Sequence, residues 1–237
     1  MKLDNLDFAS GKALLVDKPY SWTSFDVLRL LTKLTKAKMG HAGTLDPLAT
    51  GLLIIATGKM TKMIDQFQAE DKVYTGEIKL GFTTPTFDLE SDPIFKSETD
   101  AINNEAVAKA AIIYTGTIQQ QPPAHSAIKI NGTRSYELAR VGIDSKLKTR
   151  EVTIHEFRTE WNSEQSVVTF RVNCSKGTYI RSLANDLGEA LGVGGYLKSL
   201  RRESIGRFSV ADAYDMTTLI ETIKTLKLEQ SNSNEDN

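Results

Sequence analysis

A chain of 237 residues with 40% hydrophobic and 25% charged content has ordinary globular composition and apolar mass for one large or two small cores, which excludes disordered and collagen-like classes. The formal net charge of −1 gives no global basic signature, so contact with a polyanion has to use a local patch. Cys174 is the single cysteine, which excludes an intrachain disulfide and a thiolate zinc cluster; with no apolar leader and no run of eighteen apolar residues, a soluble, untargeted cytoplasmic protein without a membrane role is expected.

ALLVDK from Ala13 reads as a short strand that Pro19 stops. Thr23 or Ser24 then caps a helix with an apolar stripe of Val27, Leu31 and Leu34, widened by Leu28 and Leu30, and Lys33, Lys36 and Lys38 crowd its end. KMGHAGTLDPLATG carries Gly40, Gly43, Gly51 and a proline, which predicts a shaped loop with no regular element. LLIIAT after it is a buried strand, and Met60, Met63, Ile64 and Phe67 recur at the spacing of a short helix. KVYTGEIKLG alternates, placing Tyr74, Gly76, Ile78 and Leu80 on one face and Thr75, Glu77 and Lys79 on the other. The acidic, proline-punctuated stretch from Thr83 to Asp100 predicts a mobile surface connection before a helix over NNEAVAKAAIIY.

QQQPPAHSAIKINGTRSYELARVG contains a Pro-Pro break, a strand, a hairpin-type turn at Asn131-Gly132 and a short amphipathic helix. EVTIHEFRTEW and SVVTFRVNCS are two further strands. TYIRSLANDLGEALG puts Ile180, Leu183, Ala184, Leu187 and Leu191 on one helical face, and Gly192, Gly194 and Gly195 end it. A strand pair through LRRESIGRFSV and a helix through MTTLIETIKTL follow, and residues 229–237 form a polar, frayed tail. Strands with irregularly placed helices and no βαβ rhythm indicate an α+β fold on a central mixed or largely antiparallel sheet flanked by helices, with one domain over 1–228.

Asp46 is the chemically suggestive residue. Pro47 biases it toward extended backbone geometry and so presents its carboxylate rigidly. Its loop offers only His41 as a metal ligand and lacks a Walker ending, so neither a metal nor a nucleotide cofactor is expected. A lone carboxylate serves as nucleophile or base, yet on residue type alone an Asp-Pro pair reads first as a turn initiator.

The whole string decides more than the pair. GHAGTLDPLATGLL resembles the active-site motif of the TruB family of pseudouridine synthases. LLVDKPYSWTSFDV, KVYTGEIKLG, QQQPPAHSAIKINGTRSYELAR, CSKGTYIRSLANDLG and GGYLKSLRRESIGRF resemble further family segments in the family order, covering almost the whole chain. The resemblance implies a pseudouridine-synthase fold, no cofactor, and isomerisation of the uridine at position 55 in the TΨC arm stem-loop of tRNA; a monomer is the default expectation, and the missing C-terminal module argues for an enzyme that needs no protein partner.

It also implies the residue roles. Asp46 matches the catalytic aspartate, acting by attack on the ribose or by proton abstraction to a glycal, a choice the sequence leaves open and family grounds tilt to the glycal. Arg181, whose place in the first turn of a helix costs a cation roughly 0.3–1 kcal/mol, matches the partner of that carboxylate. Tyr74 matches the tyrosine that stacks on the target base. His41 matches a residue that fills the space of a flipped base. Tyr179, Lys18 and Leu200 match pocket lining and support. Lys129, Arg201 and Arg202, with Lys33, Lys36, Lys38 and Arg207, are the candidates for phosphate contacts. Ser21 stands where many family members have glycine, which puts local loop geometry in question, and no C-terminal PUA-type module is expected. Two other functions fit a lone carboxylate on RNA: a tRNA-folding chaperone with catalysis secondary, and a uracil-releasing glycosidase.

Overall fold

The computed structural model describes residues 3, 5, 7–124, 129–130, 133–134 and 147–235. The chain opens with β1 (Ala13–Lys18), α1 (Ser24–Thr35), β2 (Met39–Ala42), β3 (Ala49–Thr57) and α2 (Ile64–Ala69). Next come β4 (Lys72–Leu80), β5 (Phe82–Thr83), β6 (Ile94–Phe95), α3 (Asn104–Ile113), β7 (Gly116–Gln120), β8 (Lys129–Ile130) and β9 (Thr133–Arg134). It closes with β10 (Arg150–Asn162), β11 (Val167–Cys174), α4 (Ile180–Ala190), β12 (Gly195–Ile205), β13 (Phe208–Ser209), β14 (Tyr214–Asp215) and α5 (Met216–Glu235). Two compact units result, one of Met1–Lys72 with Arg201–Asn237 and one of Val73–Leu200. The sequence alone suggested a single domain.

In the first unit the strand order is β14-β1-β3, with β2 also on β3. β1 pairs with β14 in parallel and with β3 antiparallel, and β2 pairs with β3 antiparallel. The period of two sends Leu14, Val16, Leu53 and Ile55 to one face, where Val27 and Leu31 of α1 and Leu219 and Ile223 of α5 cover them. Ala13, Leu15, Leu52 and Ile54 face the other way, with Ile64 and Phe67 of α2 packed against them. Both faces are therefore apolar, which is why LLIIAT reads as an unbroken hydrophobic run. Each such side chain contributes roughly 1.5–3 kcal/mol when fully buried. Helix α1 starts at a capping box: Thr23 accepts from the Asp26 amide, and Asp26 accepts from the Thr23 amide.

In the second unit the order is β4-β11-β10-β7, with β10 antiparallel to both neighbours. Phe157 and Phe170 meet edge to face at 6.2 Å across β10 and β11. Cys174, at the end of β11, is fully buried. Helix α4 turns Ile180, Leu183, Ala184 and Leu187 into the core. Strand β12 passes from the second unit into the first between Leu200 and Arg201. The α+β class and the mixed, largely antiparallel sheet expected from the sequence are found.

Several local expectations need correction. Met39–Ala42, read as loop, is a strand because each of its residues finds a partner on β3, from Met39↔Thr57 to Ala42↔Ile54. The stretch 58–69 opens as a 3-10 turn, Gly58–Met63, before α2. The segment 83–100 is no loose connection: Thr84, Thr86 and Asp88 are buried, β5 and β6 pair within it, and Asp88 bridges to Leu197. Helix α5 continues to Glu235, through most of the stretch read as a tail. The turn expected at Asn131-Gly132 and the helix expected after it lie outside the described residues; β8 and β9 pair in antiparallel register, Lys129↔Arg134 and Ile130↔Thr133. Among the described residues no helix is long and apolar enough to cross a membrane.

Candidate active site

Each unit carries some of the expected residues. In the first unit, Asp46 occupies the six-residue connection between β2 and β3 and is partly buried. Three side chains hold that connection. Ser24, at the start of α1, accepts from the Leu45 amide at 2.9 Å and donates to the Leu45 carbonyl at 3.2 Å. Lys18, at the end of β1 and fully buried, donates its ammonium to the carbonyls of Pro19 (3.0 Å), Trp22 (2.5 Å) and Pro47 (3.3 Å). Arg202, 1% exposed, donates Nε to the Leu52 carbonyl at 2.7 Å and an Nη to the Gly43 carbonyl at 3.1 Å. The Asp46 carbonyl itself accepts from the Ala49 amide at 3.1 Å, closing a turn over Pro47.

Electrostatics follow from this packing. Burial pushes the Lys18 ammonium down to about 8, against the pull of the Asp46 carboxylate, which favours its charged form. His41, on β2 opposite Ile55, is held below the usual imidazole range first by burial and then by the Arg202 cation, so it is neutral at pH 7. Its Nδ1 is buried and has no hydrogen-bond partner among the described residues. Gly51 makes the approach of Arg202 possible: its φ is +103°, and a Cβ there would lie 2.3 Å from the Arg202 carbonyl oxygen. Ser21 has φ +62°, the left-handed backbone for which glycine is best suited. Beside it a cavity of about 600 Å³ is lined by Ser21, Trp22, Asp26, Arg29, Leu30 and Lys33.

In the second unit, Arg181 is buried in the first turn of α4. Its guanidinium lies 3.5 Å from the Asp88 carboxylate, with both side chains 6% exposed, and donates to the Thr86 carbonyl at 3.3 Å. Here the helix-start cation finds an offsetting anion, from the segment the sequence had suggested was mobile. Tyr179, the residue before α4, donates its amide to Gln120 Oε1 at 2.8 Å, and Gln120 Nε2 donates to its carbonyl at 3.0 Å. Ser182 donates to the Gln121 carbonyl at 2.7 Å. Tyr74 is buried on β4, and Leu200 is half-buried on β12.

The phosphate candidates separate. Arg202 does not belong among them: its guanidinium is spent on main-chain carbonyls in the interior, so it supports the Asp46 loop. Arg201 is accessible but grips the Asp17 carboxylate at two points, 3.1 and 2.7 Å. Lys129 lies on β8, its side chain outside the described residues. Lys33, Lys36, Lys38 and Arg207 are exposed. Among the described residues no group of three or more His, Cys, Asp and Glu side chains is placed to hold a metal ion.

Residues 31–180 match the family model described as TruB family pseudouridylate synthase (N terminal domain), and residues 181–235 match the tRNA pseudouridylate synthase B C-terminal domain. The chain belongs to the TruB family. It is 47% identical over 229 residues to a tRNA pseudouridine synthase B of Chloroherpeton thalassium, covering 94% of this chain and 95% of the relative. It is 44% identical over 226 residues to one of Flavobacterium johnsoniae, covering 92% and 98%. Among solved structures it is similar to a chain in the crystal structure of a Cbf5-Nop10-Gar1 complex, at TM-score 0.69 and 27% identity, covering 90% of this chain and 54% of that one. This TruB chain thus spans about half of that longer protein. As a TruB member it is a pseudouridine synthase, an isomerase.

Ser24, Asp88 and Gln120 were not singled out from the sequence. Ser24 looked like one of two possible helix caps, Asp88 was one acid among several in a polar stretch, and Gln120 was one of three consecutive glutamines. Only their burial, at 2%, 4% and 1% exposure, marks them as positioning side chains.

Proposed function

We propose that this chain converts the uridine at position 55 in the TΨC loop of tRNA to pseudouridine, with Asp46 as the catalytic carboxylate. The observation that carries the reading is the anchoring of the Asp46-Pro47 turn by Lys18, Ser24 and Arg202 inside the family's active-site string. A turn initiator has no need of a buried ammonium on one side and a buried guanidinium on the other. A carboxylate that must meet one ribose carbon does, because a misplacement of about 1 Å can cost a hundredfold in rate.

The chemistry is an isomerisation, so nothing is added or lost. The bond from ribose C1′ to N1 breaks, the uracil turns within the pocket, C1′ joins C5, the C5 proton leaves and N1 gains one. Attack on the ribose and abstraction of a ribose proton both begin from an ionised Asp46. In this reading Tyr74 stacks on the base, Arg181 belongs to the catalytic machinery, and Tyr179 and Leu200 line the pocket. The uridine must leave the folded loop, at a cost of a few kcal/mol, and a neutral His41 suits the vacated space because it brings no charge to be desolvated. The chain is read as one catalytic domain, acting in the cytoplasm as a monomer and without a partner protein.

The test is carbodiimide-primer-extension mapping of an unmodified tRNA transcript incubated with the protein. A new stop at the T-loop uridine for wild type, absent for Asp46→Asn, is the expected result. Tight binding with no stop under permissive salt would replace the synthase by the folding chaperone, and release of free uracil would replace it by a glycosidase.

A further inference from the structure

Two residues facing each other across one strand pair grip Tyr179. In the β7–β10 ladder Arg150 is the Cα partner of Gln120. The buried Gln120 amide holds both main-chain groups of Tyr179, as described above, so the tyrosine ring retains only its side-chain torsions. Arg150 restricts those: its guanidinium carbon lies 4.6 Å from the ring centroid, well within the range of a cation–π contact. Gly177, two residues earlier, has φ +81°, the left-handed backbone for which glycine is best suited.

What fixes Arg150 there is the ring. No ion pair of Arg150 occurs among the described residues, and its Nη2 is buried without a hydrogen-bond partner. Buried polar groups in folded proteins are almost always satisfied. A guanidinium that keeps its place over Tyr179 with a donor unmade is held by face contact and packing. The same edge reaches further, because Gln121, the residue after Gln120, accepts from Ser182 in the first turn of α4. β7 thus registers the backbone that carries both Tyr179 and Arg181, and Arg150 sets the one ring that this register leaves free.

We infer that Arg150 is a positioning residue for the reaction, fixing the Tyr179 ring in the orientation that receives the uridine. This rests on the reading of the chain as a pseudouridine synthase with Tyr179 in its pocket. The guanidinium plane can lie flat on the ring and holds its angle; an ammonium in the same place supplies charge without that plane.

The experiment uses Arg150→Met, which keeps an apolar stem and removes the cation, and Arg150→Lys, which keeps the cation. In RNA-free protein with ring-labelled tyrosine, the Tyr179 resonances, identified by their loss in Tyr179→Phe, are expected to shift and broaden in Arg150→Met and to stay closer to wild type in Arg150→Lys. Single-turnover pseudouridine formation on a T-arm stem-loop is expected to slow about tenfold in Arg150→Met, with stem-loop affinity nearly unchanged. In a Tyr179→Leu background, Arg150→Met should add no further slowing. Unmoved Tyr179 resonances in Arg150→Met overturn the inference, as does full independent slowing in the Tyr179→Leu background. Should wild type form no pseudouridine, the functional reading fails, while the ring resonances still decide whether Arg150 sets Tyr179.

Discussion

Asp88→Asn isolates the charge that stabilises Arg181. The substitution keeps the shape of the side chain and an oxygen for the Glu90 amide, which Asp88 Oδ1 accepts at 3.0 Å, and removes only the negative charge. At 3.5 Å and an effective dielectric of about 20, the attraction between the two groups comes to roughly 5 kcal/mol before desolvation is counted. Desolvation of two buried ions offsets much of that. The separation exceeds the ~2.8 Å of a good charge-assisted bond, and the Thr86 carbonyl continues to serve the guanidinium, so the expected loss in unfolding free energy is about 2–3 kcal/mol. Urea titration followed by circular dichroism measures it as a lower midpoint at unchanged slope. Because both groups are buried, the loss should be nearly the same at roughly 0.1 M and 1 M salt. Replacing both partners together, Asp88→Leu with Arg181→Leu, should restore part of the stability that Asp88→Leu alone removes. A loss below about 0.5 kcal/mol, or one that disappears at high salt, would show that the pair behaves like a surface contact and would refute the reasoning.

Other perturbations test the loop and its supports. Ser21→Gly relieves the left-handed backbone and, after the added entropy of a glycine in the unfolded chain, should raise stability by about 0.5–1 kcal/mol; an unchanged or lower denaturation midpoint contradicts it. Arg202→Met leaves the Leu52 and Gly43 carbonyls without their buried donor and should cost about 2–4 kcal/mol. Its effect on the salt dependence of tRNA binding should be nil, and a slope shallower by about one unit would return Arg202 to the phosphate contacts. Lys18 has a folded value of about 8 against 10.5 for the free side chain. Between those values the unfolded chain binds a proton that the folded chain has lost, so this group makes stability rise as pH climbs through that window and adds no slope below it. Urea titrations at pH 7.5, 8.5 and 9.5 compared with Lys18→Met reveal this as a difference in pH slope; parallel curves would remove the proposed burial of the charge.

Much of this architecture is legible from local pattern. β1, the cap and stripe of α1, the alternation of β4 and the face of α4 follow from periodicity and end signals, because neighbours in the chain suffice to define them. What needed the fold were features made by distant partners. Met39–Ala42 has the glycine content of a loop and is a strand only because β3 lies beside it. Asp88 sits among prolines and acids that suggest a solvated connection, and only the cation at the start of α4, far along the chain, explains its burial. Arg201 and Arg202 look alike in sequence, yet on a strand adjacent residues point to opposite faces, which sends one guanidinium to Asp17 and the other under the Asp46 loop. The site string itself named Asp46, while nothing local in it identifies Ser24 or Lys18 as the residues that hold the turn.

The solitary thiol of Cys174 gives the second unit a built-in clock. With no other cysteine in the chain and complete burial at the end of β11, any modification by a small thiol reagent has to wait for that strand to open. The rate of labelling at saturating reagent therefore times the opening event, and its dependence on reagent concentration separates how often the strand opens from how long it stays open. No engineered probe is required, so the effect of each substitution in Val73–Leu200 on local opening can be followed alongside its effect on catalysis.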